Sequence, residues 1–365
     1  MSEYSQNKIF HHPKNIDALK RGTQPVPVHL QLIISDLCNQ DCSFCAYRMS
    51  GYINNELFHL TDEKTGKVNN NPNRMISKEK CFEIIDDCKT LGIKAVEITG
   101  GGEPLLHPDH LEIFNRVLDN DLDLSLISNA TKISPELIPV LLKSKWVRFS
   151  FDAAKPETYT SLRGVSQKQY NTAWNNVKSL VKAKKETLSN VTIGVSFVVT
   201  KENYTEIEEF TQQAKNAGVD NARISAFFQS EQETYFEDFY DSASAAADKA
   251  AKLQTNCFTV FNNFGKRFSD LKQSSPDYSL CGYQHFTCFI GADLNLYRCC
   301  NTSYTKNGLV GSLKSKSFKT LWESNEKKQN YQSFDARSCK WCMFNAKNKN
   351  ILYAISPNPK HVNFV

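Results

Sequence analysis

Three cysteines on one short stretch, Cys38, Cys42 and Cys45 in DLCNQDCSFCAYR, are the residues of this sequence best placed to do chemistry. Their spacing, three residues and then two, lets three thiolates converge on one centre from a single loop. A cubane iron–sulfur cluster held by three thiolates keeps one iron without a protein ligand, and that iron can take a small molecule. A structural zinc site normally uses four protein ligands. No fourth Cys or His lies close by, His59 being the nearest downstream, and zinc stands as the alternative at this loop.

A second constellation is EITGGGEPLLHP, residues 97–108. Glycines such as Gly101 and Gly102 just past an apolar run allow the backbone to approach a ligand, while Glu103 offers a carboxylate to a cationic amino group. His107 reads as a cap of the same loop, with proton transfer as the alternative. A third group lies towards the C-terminus, in CGYQHFTCFIGADLNLYRCC and SCKWCMFN. Cys339 and Cys342 form a CxxC clip of the kind found in zinc and iron–sulfur sites. One complete set of four thiols is expected there, Cys288, Cys299, Cys339 and Cys342. Cys281 and Cys300 are the substitutes, and a zinc ribbon is the competing use.

The cysteine loop, with Phe44 before its last thiol, resembles the signature of the radical S-adenosylmethionine (SAM) superfamily, and Gly101-Gly102-Glu103-Pro104 is similar to that family's GGEP motif. The resemblance implies that Cys38, Cys42 and Cys45 hold a [4Fe-4S] cluster whose open iron chelates SAM. Reduction would then break a sulfur–carbon bond and release a 5′-deoxyadenosyl radical that abstracts hydrogen from a substrate. It further implies SAM contacts at Phe44, Tyr47, Gly101, Gly102 and Glu103, and at Ser128, Asn129, Ser150, Asp152 and Arg163. The alternatives to these contacts are that Asn129 only terminates a strand, Asp152 caps a helix and Arg163 is a surface residue. The C-terminal cysteines resemble the SPASM/Twitch extension of these enzymes, the shorter form with one auxiliary [4Fe-4S] cluster.

These residues need a frame. Strand-like runs at 29–34, 95–99, 122–127, 147–151, 191–199 and 222–227 alternate with amphipathic stretches such as 78–91, 109–118, 168–183 and 204–217. Alternation of this kind predicts parallel strands with helices outside. Six such units are fewer than the eight of a closed barrel, so the expected architecture is a partial (β/α)6 TIM-like barrel with a small C-terminal cluster domain. The motifs then gather at the C-terminal rim of the strands. Expected boundaries are an N-terminal extension (1–27), the barrel (28–255), the auxiliary domain (256–350) and a tail (351–365). Residues 50–73 read as an exposed insertion, a substrate-facing lid or a tolerated loop. Cys81, Cys88 and Cys257 read as buried core thiols.

At 365 residues and 41.5 kDa with 40% hydrophobic residues, the composition is that of a globular protein. Apolar runs are too short to span a bilayer, and the first residues lack a signal peptide's apolar core, which predicts a cytoplasmic protein with no membrane partner. Twelve cysteines suit cluster ligation better than disulfides there. Net charge is only +5, yet ten Lys or Arg face three acidic residues between 312 and 360. This excess reads as a solvated basic face or as attraction for an anionic substrate or nucleic acid. Expected partners are a peptide or a small sugar-like or aminocyclitol substrate and an electron donor such as flavodoxin or ferredoxin, with a nucleotide or nucleic-acid substrate as the alternative. The short stretch before the first strand argues against an N-terminal peptide-recognition domain. The rival of a different class is a non-catalytic zinc or iron–sulfur scaffold.

Overall fold

A computed structural model describes residues 4–49, 56–228, 232–273 and 275–363. Its strands are β1 (His29–Ile33), β2 (Leu60–Thr61), β3 (Val68–Asn69), β4 (Ala95–Thr99), β5 (Asp123–Ser128) and β6 (Trp146–Ser150). They continue as β7 (Thr192–Val199), β8 (Asn221–Ala226), β9 (Thr259–Asn262), β10 (Thr287–Ile290), β11 (Asn295–Tyr297) and β12 (Leu309–Ser312). One ten-stranded sheet runs β12-β11-β10-β1-β4-β5-β6-β7-β8-β9, and β2 pairs with β3 apart from it. The six expected strands form its centre, all parallel. Two further parallel neighbours flank them, β10 against β1 and β9 against β8. These two do not pair with each other, so the barrel stays open.

Outer helices bury their apolar stripes on the sheet. Helix Lys78–Leu91 starts at Ser77, whose hydroxyl accepts the Lys80 amide, and buries Cys81, Ile84, Ile85 and Cys88. It stops at Gly92, where φ of +86° favours a residue with no side chain. The sheet's outward residues, Leu30, Leu32, Val96 and Ile98 among them, are fully buried against this layer. The alternate positions turn polar or charged groups inward, including Gln31, Glu97, Arg148, Ser196, Arg223 and Ser225. A lumen with that lining is a place for a polar ligand.

Helices at His110–Asp119, Gln167–Thr187 and Ile207–Ala217 fall where periodicity placed them. Cys257 departs from expectation. It is exposed, next to the Thr255–Phe258 bridge, because the apolar strand β9 begins only at Thr259. Residues 50–55 of the 50–73 insertion lie outside the described residues; residues 60–70 are exposed as expected, while the flanks of that stretch are anchored. Phe58 is fully buried, and Arg74 binds the Asp36 carboxylate at 2.7 Å. Among the described residues, no helix is long and apolar enough to cross a membrane.

Candidate active site

Strand β1 ends at Ile33, and the next residues carry the cysteine loop over the rim. Two clamps hold its first thiol. Asn71, from the insertion, accepts the Cys38 amide at 3.1 Å and donates to the Cys38 carbonyl at 3.0 Å. Its Oδ1 also accepts from Arg48 at 2.8 Å. On the other side, the Gly102 amide donates to the Ser35 carbonyl at 3.1 Å and the Glu103 amide to that of Leu37 at 2.8 Å.

The glycines of the second motif are required by this approach of backbone to backbone. A Cβ on Gly102 would lie 2.1 Å from the Leu37 oxygen, and one on Gly101 would lie 2.2 Å from Asp36 Oδ1. Both glycines also line a cavity of about 380 Å³ that the three cysteines share. Phe44, Tyr47, Ser128, Asn129, Ser150, Asp152 and Arg163 complete the expected set on its walls. Sequence reasoning thus named residues that the fold brings to one place. His59 is not on that wall.

The three thiols sense one another and two cations. Burial, then the Glu103 charge, pushes the Cys38 thiol up to about 11, against the pull of Arg48. Burial pushes Cys42 up to about 12, opposed first by Arg163. Arg48 Nη1 lies 3.4 Å from Cys45 Sγ. Protonated at neutral pH, the Cys38 and Cys42 thiols release their protons when a metal centre binds, and the two guanidinium groups offset the charge that results.

Glu103 is buried, with Ser128 Oγ and the Leu105 amide on Oε1 and the Asn129 amide on Oε2. A carboxylate has about four acceptor positions, so one is left for a ligand's ammonium group. Burial raises its pKa despite these bonds. Asn129 ties Asn39 and Thr131 together through its amide. Arg163 is a buried hub, not a surface residue: it donates to the Phe151 carbonyl, to Gln40 Oε1 and to Asp152. Three of its five donors are then engaged. Asp152 sits at φ +60°, fixed by Arg163 and by the Val198 amide, which donates to Oδ1 at 2.7 Å. His107 receives the Asp109 amide on Nδ1 and places Nε2 2.7 Å from the Ile76 carbonyl, the contacts of a loop cap.

The C-terminal thiols sort differently from the expected four. Cys288 is paired in register with Leu30 and so faces the outer helical layer, where its charge partners are Cys88 and Lys327. Cys281 takes its place: Cys281, Cys299, Cys339 and Cys342 each interact electrostatically with others of the four. Arg298 lies beside them, held by Gln284 and Asn330 and stacked 3.9 Å over Phe334. Cys300 senses Cys299 most strongly of its charged neighbours and is also in range of Glu97, Arg267 and Lys347. Among the described residues, no three His, Cys, Asp or Glu side chains converge closely enough to chelate a single ion.

Residues that sequence reasoning missed are those joining the two cysteine regions. Tyr304, next to neither motif, donates to Asp36 Oδ1 at 2.6 Å and receives the Ala292 amide on the same hydroxyl. Asn71 gave no signal beyond an Asn-rich stretch.

Comparison with known proteins agrees with this geometry. The radical SAM superfamily profile matches residues 32–250, more than half of the chain. Mycofactocin maturase MftC of Mycolicibacterium smegmatis is 24% identical over 326 residues, covering 86% of this chain and 74% of that protein. The Mycobacterium tuberculosis MftC aligns over 208 residues at 24% identity, 56% of this chain, and the chain spans only 46% of its length. In fold, Streptococcus suis SuiB bound to precursor peptide SuiA superposes with a TM-score of 0.61 at 16% identity, over 91% of this chain and 73% of that one. Native anSMEcpe with bound AdoMet and Kp18Cys peptide gives 0.56 at 14% identity, over 90% and 96%. On the match to its profile, the chain belongs to the radical SAM superfamily, whose enzymes use a [4Fe-4S] cluster and SAM.

Proposed function

We propose that this enzyme cleaves SAM at the Cys38–Cys42–Cys45 loop and abstracts hydrogen from a peptide substrate, with electrons from a donor such as flavodoxin or ferredoxin. One observation carries the reading: three thiols, with no further Cys or His among the described residues lining the site, share a cavity with Gly101, Gly102 and Glu103. When bound, the cluster and SAM supply one-electron cleavage of a sulfonium carbon–sulfur bond.

The chain's own residues do the rest. Cys38, Cys42 and Cys45 would hold three irons, with Arg48 and Arg163 offsetting thiolate charge. The remaining acceptor position of Glu103 receives an ammonium group, and Ser150 and Asp152 line the same wall. Phe44 and Phe227, edge to face with centroids 6.4 Å apart, exclude water from the site. Cys281, Cys299, Cys339 and Cys342 are the set we assign to one auxiliary [4Fe-4S] cluster, with Arg298 as the nearby cation. The likeness to MftC maturases, and to folds crystallised with SuiA and with the Kp18Cys peptide, supports a peptide substrate.

Anaerobic reconstitution with iron and sulfide, reduction with dithionite and chromatography for 5′-deoxyadenosine test the reading. The wild type should form it and Cys42→Ala should not. A colourless zinc protein, or equal product from Cys42→Ala, would overturn it.

A further inference from the structure

The cavity has a second, cationic wall, apart from the residues assigned above to SAM and its cluster. Arg223, on β8, and Arg267, on helix Phe264–Lys272, both line it. Arg223 lies three residues before the end of its strand, so it points into the lumen below the rim that carries the cysteine loop. Arg148 on β6 stands nearby and adds a third positive charge. Its Nη1 donates to the Tyr4 hydroxyl at 3.0 Å, and the Tyr4 ring lies 5.6 Å beneath the Arg223 guanidinium.

Negative charge does not match this. Asp270 lies 3.7 Å from Arg267. Glu97, the carboxylate in range of Arg223, is engaged by other groups: Gln31 donates to its Oε1 at 2.8 Å, and His29 lies 3.7 Å from its Oε2. Arg223 Nε is buried and has no hydrogen-bond partner among the described residues. Burial first, then Arg148, pushes this guanidinium down to about 9. A buried donor without an acceptor and a cation crowded by other cations are both costly. An oxyanion supplied by a ligand relieves both, because a guanidinium binds phosphate or carboxylate through two parallel donors.

We propose that Arg223 and Arg267 form an oxyanion-binding floor that takes a phosphate or carboxylate group of the substrate, beneath the radical source. The proposal rests on the reading of this cavity as the place of SAM cleavage and adds a substrate class to it: an acidic peptide or a phosphorylated molecule, rather than a neutral sugar.

The test is calorimetric titration of the anaerobically reconstituted, SAM-saturated enzyme with inorganic phosphate and, separately, glutarate at constant ionic strength. One oxyanion per chain should bind; tighter phosphate indicates a phosphorylated substrate and tighter glutarate an acidic one. Arg223→Gln and Arg267→Gln should each weaken binding at least tenfold, and Arg223→Lys by less, since it keeps the charge but not the fork. The floor is refuted if neither anion binds, if Arg223→Gln binds as the wild type does, or if saturating SAM abolishes binding, which would give these arginines to the carboxylate of SAM. Absence of 5′-deoxyadenosine from the wild type would instead sink the cleavage reading, and the titration is independent of it.

Discussion

Gly102→Ala is the sharpest perturbation of the active-site frame. The new methyl carbon would stand 2.1 Å from the Leu37 oxygen and 2.5 Å from the Asp36 carbonyl carbon and oxygen, against a floor of 3.0 Å for real contacts. All of these are backbone atoms, so no side chain can rotate away. Relief requires the strand β1 exit and the glycine loop to separate, which breaks the Gly102–Ser35 and Glu103–Leu37 hydrogen bonds. Overpacking costs about 1–3 kcal/mol, and each lost bond about 1 kcal/mol, so the sum is roughly 3–5 kcal/mol. Typical domains have about 5–15 kcal/mol in total. Urea unfolding should show a loss of that size, or, where the loop yields while the domain holds, reconstituted protein should lose the iron of the Cys38 site. Gly265→Ala is the control, since its Cβ would meet only the Tyr240 hydroxyl at 3.7 Å, and it should be neutral or gain up to about 1 kcal/mol. Gly102→Ala with stability within about 1 kcal/mol of wild type and full iron content would refute the reasoning.

The auxiliary assignment predicts that Cys281→Ala loses about four irons per chain, one cubane's worth, while Cys288→Ala keeps them and only loosens the core; iron analysis beside urea midpoints separates the two. Asp152→Asn keeps a residue tolerant of φ +60° but strands the Arg163 charge, so unfolding should show a loss of about 3–5 kcal/mol. Lys327, buried over the Trp322 and Tyr331 rings, is pushed down to about 7 by burial, with Cys288 opposing that shift and Lys328 and Arg298 adding to it. Above that pH the folded lysine is neutral while the unfolded one still binds a proton up to its ordinary range, so the group adds stability as pH rises. The slope approaches about 1.4 kcal/mol per pH unit. Lys327→Met should therefore gain most over wild type at pH 6 and lose that advantage by pH 10; a constant difference between the two midpoints would contradict it.

Local chemistry made much of this molecule readable. The six central strands and helix 78–91 follow from periodicity because each buries one face. The rim residues follow because loops after parallel strands end on one side. Strand β9 escaped because four residues, TVFN, are too few to show alternation. The separation of Cys288 from the other C-terminal thiols was hidden for a related reason. Sequence spacing reports that thiols are close along the chain, whereas the register of β10 on β1 decides which face each one takes. Arg163 has a chemistry visible in sequence, but its engagement with Gln40 and Asp152 depends on contacts between distant segments. The same holds for Asn71 and Tyr304, whose partners lie 33 and 268 residues away.

The ladder between β1 and β10 has a mechanical consequence. β1 leads directly into the Cys38 loop, and β10 lies between Cys281 and Cys299, so the supports of both cysteine groups are adjacent strands of one hydrogen-bonded surface. Tyr304 on Asp36 adds a cross-tie at the same end. The two cysteine regions are thus built on neighbouring strands of one sheet and not on bodies joined by a linker, so their spacing is set when the sheet forms.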